Sequence, residues 1–549
     1  MAIDRRSFLR TPHEVVDLGV RNGFVESAEP APRPETQPPA PGSLGISAGL
    51  EAHATPLAEA DVKHALRRCA FGAKPELLEA WTGSTATELA NALVDESVAM
   101  PLPDETWWAN EAIPGRGSTQ EERRAYRDAN NQWLLEYRMD WMQRMMRDGL
   151  RERLALVWHN HFVTGVSSYR YAVFSFRYVQ TLRTYALGNF KEFVRYMGLD
   201  PSMLLYLNGI QNRVGTPNEN YARELLELFT MGPVGPDGTP NYTENDIREL
   251  ARALTGFQVS ATTLGPVFTR NRFDDGFKEI FGRFENFNYA SAIDLIFAER
   301  AEAIAHFVCR HLYASLVYSG VDDAVVSSLA TQLLDANWEL EPVIRTLLAS
   351  AHFFDPQAQG AQIKSPVEHA LGMPVEMDIA PTMQTLNVLY RTARANGQNL
   401  LDPPNVAGWP GHHIWMNTTT LPYRWFVSEV FLSGRGGTAV ALTPLAQRIH
   451  DELDPEAAFR LPLALVEHLI AAPVDLLDIP EISDEFGGDL VNFPIPEWVN
   501  AAPPHVRNLA KMFLGGQPWY EWGLHVQGAE ERMTSFVRQI SQYPEYQLV

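Results

Sequence analysis

Apolar residues at helical spacing dominate the chain from about Ala54 onward, and this repetition restricts the fold more than any single motif does. In YTENDIRELARALTGF (Tyr242–Phe257), Ile247, Leu250, Ala251 and Leu254 stand at i, i+3, i+4 and i+7 and share one face. Thr243 and Asp246 suit the start of that helix, and Gly256 suits its stop. A run from Glu121 to Phe162 predicts one or two long helices, and 296–316, 322–334 and 340–350 predict more. VFTRNRFDDGFKEIFGRF (Val267–Phe284) breaks the pattern, because aromatic residues flank Asp275-Gly276, a pair suited to a tight turn. The expected fold is mainly α, a multi-helix globular domain with a small β-hairpin excursion near 267–284.

Residues 27–43 (SAEPAPRPETQPPAPGS) are dense in proline with little to bury, the composition of an extended, solvated linker. DRRSFLR (Asp4–Arg10) has the paired arginines, Phe-Leu and basic residue of a twin-arginine export motif. An apolar run should follow, and TPHEVVDLGVRNG is polar and broken, so the signal is incomplete. The expected division is therefore threefold. Residues 1–53 form a disordered proline-rich segment with the incomplete twin-arginine-like motif, 54–440 the main helical domain, and 441–549 a C-terminal helical portion packed on it. The expected location is the cytoplasm, unless the chain is exported with a partner or through that degenerate motif.

At 549 residues and 45% hydrophobic, the chain can bury one large core or several smaller ones. No window approaches the ~18 uninterrupted apolar residues of a membrane span. A formal net charge of −22 repels phosphate backbones, so nucleic acid is not an expected partner. Cys69 and Cys309 are the two cysteines, too few for a disulfide scaffold or a four-cysteine zinc site. Walker, Gly-x-Gly-x-x-Gly, His-Glu-x-x-His and Cys-x-x-Cys patterns are absent. GISAG (Gly45–Gly49) matches a nucleophile elbow, but Ser47 follows the proline-rich linker where a strand is required.

Three stretches carry candidate chemistry. In RERLALVWHNHFVTG (Arg151–Gly165), His159 and His161 would point about 200° apart on a continuing helix. At a helix end they could converge on one metal ion; the alternative is a pair capping the helix and hydrogen-bonding inside the core. In PNENYARELLELFTMG (Pro217–Gly232), Glu219, Asn220, Arg223, Glu224 and Glu227 fall on one arc of about 140°. Spacing alone makes that a solvated face with i, i+4 ion pairs, opened by an Asn218 cap. DPPNVAGWPGHHIWMN (Asp402–Asn417) is a loop whose Trp409, Trp415, Asn405 and His412 could stack on and hydrogen-bond a sugar or another flat ligand. Packing of that loop onto the core by its tryptophans is the equal alternative.

WHNHF, ALGNFKEFV, PSMLLYLNG, PNENYARELLELFTMG, YTENDIRELARALTGF, DDGFKEIFG, KSPVEHALG and PPNVAGWPGHHIWMN occur in this order. Together they resemble the bacterial domain-of-unknown-function family numbered 1800. HALRRCAFG (His64–Gly72) resembles its opening motif and YPEYQ (Tyr543–Gln547) its closing one, so the resemblance covers about residues 60–549. It implies a helical protein of no established activity, often carrying a twin-arginine signal and encoded beside a second exported protein, hence a co-encoded partner. Two positions depart from the family pattern: Phe273 stands where a histidine is typical, and the export signal lacks its apolar run.

The resemblance turns the Glu219–Glu227 face from plain solvated surface towards a shared polar centre. The leading expectation is an enzyme with a His/Glu/Asn centre hydrolysing a glycan or ester-like polymer, by metal-assisted or carboxylate chemistry. Its catalytic residues would be Glu219, Asn220, Arg223 and Glu224, with Trp409, Trp415, Asn405 and His412 binding substrate. His159 and His161 would hold one divalent transition metal, Zn, Mn or Fe. The alternative is a non-catalytic envelope or assembly protein whose polar core is structural.

Overall fold

The computed structural model describes residues 42–549 apart from 116, 435–436, 439, 451–453, 455, 475–476, 478 and 483–493. The twin-arginine-like motif and all but the last residues of the proline-rich stretch lie outside the described residues. Helices predominate, and their starts follow local chemistry. Thr85 with Glu88, Thr119 with Glu122, Thr243 with Asp246 and Ser365 with Glu368 each form a reciprocal capping box, satisfying backbone N–H groups that the first turn leaves free. The Glu244–Ala253 helix buries Ile247, Leu250 and Ala251, the face its spacing predicts.

The run 121–162 resolves into two helices, Gln120–Arg147 and Gly149–His161, separated where Gly149 takes φ +53°. Across that break Trp141 Nε1 donates to Glu152 Oε2 at 2.9 Å, and Arg183 of the Ala172–Tyr185 helix closes on the same carboxylate at 2.7 and 3.0 Å. The continuous helix expected over 296–316 is instead Tyr289–Glu299 and Ala301–Leu316. Arg300 leaves helical geometry at φ −130°, and its guanidinium donates to Asn241 O at 2.7 Å and Glu299 O at 2.8 Å. Asp323–Asp335 and Leu340–Ala349 follow as expected.

The β excursion is two small antiparallel pairs. β1 (Phe257–Val259) pairs with β2 (Pro266–Phe268), and β3 (Lys278–Ile280) with β4 (Arg283–Glu285). The tight turn lies at Phe281-Gly282, both with positive φ, and not at Asp275-Gly276. The Asp-Gly pair wraps a lysine instead: Lys278 Nζ donates to Asp274 O at 2.6 Å and to Gly276 O at 2.9 Å. Phe273 offers its ring face to the same ammonium at 4.9 Å.

The principal core runs from Ile46 to Val427. A second apolar cluster joins Met373, Met377 and Phe431 to the helices Ala457–Leu469, Pro504–Leu514 and Ala529–Ile540. The Pro366–Glu376 helix contributes to both. No helix among the described residues is long and apolar enough to cross a membrane.

Candidate functional site

His159, Asn160 and His161 close the Gly149–His161 helix, and each latches a different segment of the chain. His159 Nε2 accepts from Leu401 N–H at 3.1 Å, so Nδ1 carries the proton and donates to Tyr178 Oη at 2.8 Å. The Tyr178 hydroxyl in turn donates to Phe162 O at 2.7 Å. This one-way chain requires a neutral imidazole, and burial, with Arg138 nearby, pushes its pKa down to about 3. His161 donates from Nε2 to Phe229 O at 3.0 Å and lies against His311 with ring centroids 4.8 Å apart. Burial, then His311, holds it far below the ordinary histidine range. Asn160 accepts from Trp409 N–H at 2.7 Å and donates to Trp409 O at 3.3 Å, pairing that backbone as a strand edge would.

The two histidines therefore diverge, one to the 401 segment and one to Phe229. Both nitrogens of His159 are engaged, and among the described residues no group of three or more His, Cys, Asp or Glu is arranged to hold a metal ion. The His159 and His161 positions do not fit the expected metal.

The stretch Pro217–Gly232 forms an α-helix over Asn220–Glu224 that widens into a π-helix, Leu225–Thr230. Asn218 Oδ1 caps Asn220 N–H at 3.0 Å. Thr230 Oγ1 bonds Leu225 O at 2.6 Å, while the Phe229 carbonyl near the end of the wide turn is taken by His161. π-turns are costly and frequent at functional sites. The polar face splits. Arg223 meets Glu244 at 2.9 and 2.8 Å and Glu219 at 3.3 Å, a half-exposed ion-pair group of small stabilising worth. Glu227 is buried. The charge of Glu224 is felt by Tyr206.

Tyr206 lies within reach of two carboxylate charges. Burial, then the charges of Glu224 and Asp402, push its phenol up to about 12. Asp402 accepts from Ser167 N–H at 3.2 Å and from Asn399 Nδ2 at 3.4 Å. Gly165 lets the two close together, since a Cβ there would lie 3.1 Å from Tyr206 Cε2 and 3.4 Å from Asp402 Oδ1. Asp402 is held in place through its neighbours. Arg138 Nε donates to Leu400 O at 2.9 Å, His159 accepts from Leu401 N–H, and Leu401 O accepts from Val166 N–H at 2.8 Å. These bonds hold Leu401 at φ +67°, a strained value for a leucine.

The tryptophans of the loop pack inward: Trp409 is 5% and Trp415 6% exposed, so neither presents a stacking surface. Asn405 turns on itself, accepting from Ala407 N–H at 2.9 Å. His412, half-buried, rests against His413 and Tyr318.

A second polar centre, absent from the expected residues, is built from cations that helical periodicity alone would place on surfaces. Arg67 pairs with Glu376 at 2.6 Å and reaches His468 O and Ile470 O. Arg68 donates to Leu316 O at 3.0 Å, Arg153 pairs with Glu368, and Lys364 donates to Tyr546 O at 2.9 Å. Arg424 joins Gln547 Oε1 at 2.8 Å to Lys364 O at 2.9 Å.

A family model described as "Protein of unknown function (DUF1800)" matches residues 64–548. The chain belongs to this family. No curated protein and no solved structure matches it. Set against the fold, seven of the ten motifs that carry the resemblance sort into two centres. WHNHF, PSMLLYLNG, PNENYARELLELFTMG and PPNVAGWPGHHIWMN, with the preceding Asp402, supply the Tyr206 region. HALRRCAFG, KSPVEHALG and YPEYQ supply the cation centre. Asp402 and Tyr206 stand inside or beside quoted motifs, and that adjacency was the signal from which they could have been found.

Proposed function

We propose that the protein is a carboxylate-dependent hydrolase acting on glycosidic or ester-like bonds of a polymer, with Glu224 and Asp402 as its paired acids. What supports this is that the charges of Glu224 and Asp402, from segments far apart in the chain, both act on the Tyr206 phenol, and that the Tyr206 ring and Asp402 Oδ1 both crowd Gly165. Two carboxyls in unlike surroundings can divide the work, one giving a proton to the leaving oxygen and the other serving as base or nucleophile. Tyr206, kept protonated, donates a hydrogen bond to developing negative charge. Asn220, one turn before Glu224, offers an amide to substrate hydroxyls, with Asn405 and His412 at the rim of the loop. Arg223 and Glu219 steady the helix through Glu244. His159 and His161 are positioning residues that hold the 401 segment and the π-turn.

The test is a panel of nitrophenyl glycosides and esters with polymeric glycans. Wild type should turn over at least one, and Glu224→Gln and Asp402→Asn should each lower kcat by about 10²-fold or more while keeping the helical circular dichroism. No turnover across the panel, or unchanged rates in both variants, would refute the proposal.

A partner-binding assembly protein is the second reading, favoured by one observation. Phe277 and Phe284 stack at 5.2 Å on the β3–β4 arm while 60% and 71% exposed. A stoichiometric complex with the co-encoded protein, lost in Phe277→Ser with Phe284→Ser, would establish it; retention of the complex in that variant would not.

A further inference from the structure

Among the described residues, the second polar centre holds more buried positive charge than its carboxylates neutralise. Arg67, Arg68, Arg153, Lys364 and Arg424 are each 6% exposed or less, and the described carboxylates that act on them there are Glu368 and Glu376, an excess of three positive charges. His369, 2% exposed beside Arg424 and Lys364, is kept neutral by burial and then by those cations. The C-terminus of the Ala301–Leu316 helix helps: Arg68 donates to Leu316 O at 3.0 Å and Arg153 to Ser315 O at 3.4 Å. A helix end supplies only about half a negative charge.

Hydrogen-bond donors are left over in the same place. Arg68 Nη1 and Nη2, Arg424 Nη1 and His369 Nε2 have no hydrogen-bond partner among the described residues. Both arginines are fully buried and both act on Glu368. Like charges in a low-dielectric interior cost several kcal/mol per ion unless an opposite charge and good hydrogen bonds answer them.

We propose that this centre binds a small inorganic anion, chloride by preference, through the remaining guanidinium hydrogens of Arg68 and Arg424. A single-charged, monatomic ion suits an enclosed setting that already contains two carboxylates, where a phosphate or sulfate would bring more charge and a larger hydration shell. The anion ties the Glu59–Cys69 helix, which carries Arg68, to the Thr420–Leu432 helix, which carries Arg424. This site is independent of the Glu224–Asp402 centre and of any activity there.

The full chain is melted at constant ionic strength with chloride, bromide or gluconate as the anion. Chloride should raise Tm by roughly 1 °C per tenfold increase above its Kd, and gluconate should not. Arg68→Met should abolish the difference between anions. Should that variant not fold, anomalous scattering from wild-type crystals grown in bromide decides, with a peak expected against Arg68 Nη1, Arg68 Nη2 and Arg424 Nη1. Equal Tm in all three salts, persistence of the chloride effect in Arg68→Met, or water alone at those nitrogens would overturn the proposal.

Discussion

Lowering the pH from 7 to 5 is expected to remove a large share of the protein's stability through histidines that fold neutral. His64 and His159 are 4% and 0% exposed, and burial drives each down to about 3 from an ordinary value of 6.5, with Arg68 adding to the effect at His64 and Arg138 at His159. Between those values the unfolded chain takes a proton that the native imidazole refuses, so stability is complete above 6.5 and falls as pH drops. By pH 5 each contributes a loss of about 2 kcal/mol, so the two together lose about 4 kcal/mol. His161 and His369, shifted the same way, add to this loss. Asp200 opposes it: burial raises its carboxyl to about 6, so the native state protonates first and regains about 1 kcal/mol by pH 5. The remainder is substantial against a total of about 5–15 kcal/mol. Urea unfolding midpoints at pH 8, 7, 6 and 5 measure it. His159→Gln should be less stable at pH 7 but lose about 2 kcal/mol less than wild type between pH 7 and 5. Identical pH slopes for the two proteins, or a wild-type midpoint flat to pH 5, would refute the reasoning.

Gly408→Ala should destabilise by about 2 kcal/mol or more in urea titration, because Gly408 sits at φ +81° against the Asn160 carboxamide that latches Trp409. Arg183→Ala leaves Glu152 buried with its main ion-pair partner removed, a loss of about 3–5 kcal/mol by the same assay. Both cysteines are buried and burial raises their thiols, Cys69 to about 12, so a thiol reagent should label neither in the native protein and both after unfolding.

Local signals made much of the fold legible. Thr243 and Asp246 cap their helix because both the hydroxyl and the carboxylate lie within one turn of the groups they bind. The β turn was misplaced because Asp275-Gly276 has the right local chemistry, while Lys278 folds that loop around its ammonium and Phe281-Gly282 takes the turn. The site was less legible. Helical geometry correctly implies that His159 and His161 point apart, but their partners Leu401 and Phe229 are 242 and 68 residues away. Glu224 is distinguished from its neighbours on that face only by tertiary surroundings: its charge acts on Tyr206, whereas Arg223 pairs with Glu244 and Glu219. The buried arginines were hidden by composition, since an isolated helix with Arg67 and Arg68 gives no sign that Glu376 and Leu316 O will cover them.

Carboxylate chemistry at Glu224 and Asp402 is tested most directly by measuring kcat on the best substrate of the panel before and after exhaustive chelation, beside Glu224→Gln. Chelation should leave wild-type kcat unchanged, and Glu224→Gln should lower it by about 10²-fold or more. Activity that vanishes on chelation and returns with Zn, Mn or Fe, or a Glu224→Gln rate equal to wild type, would contradict it.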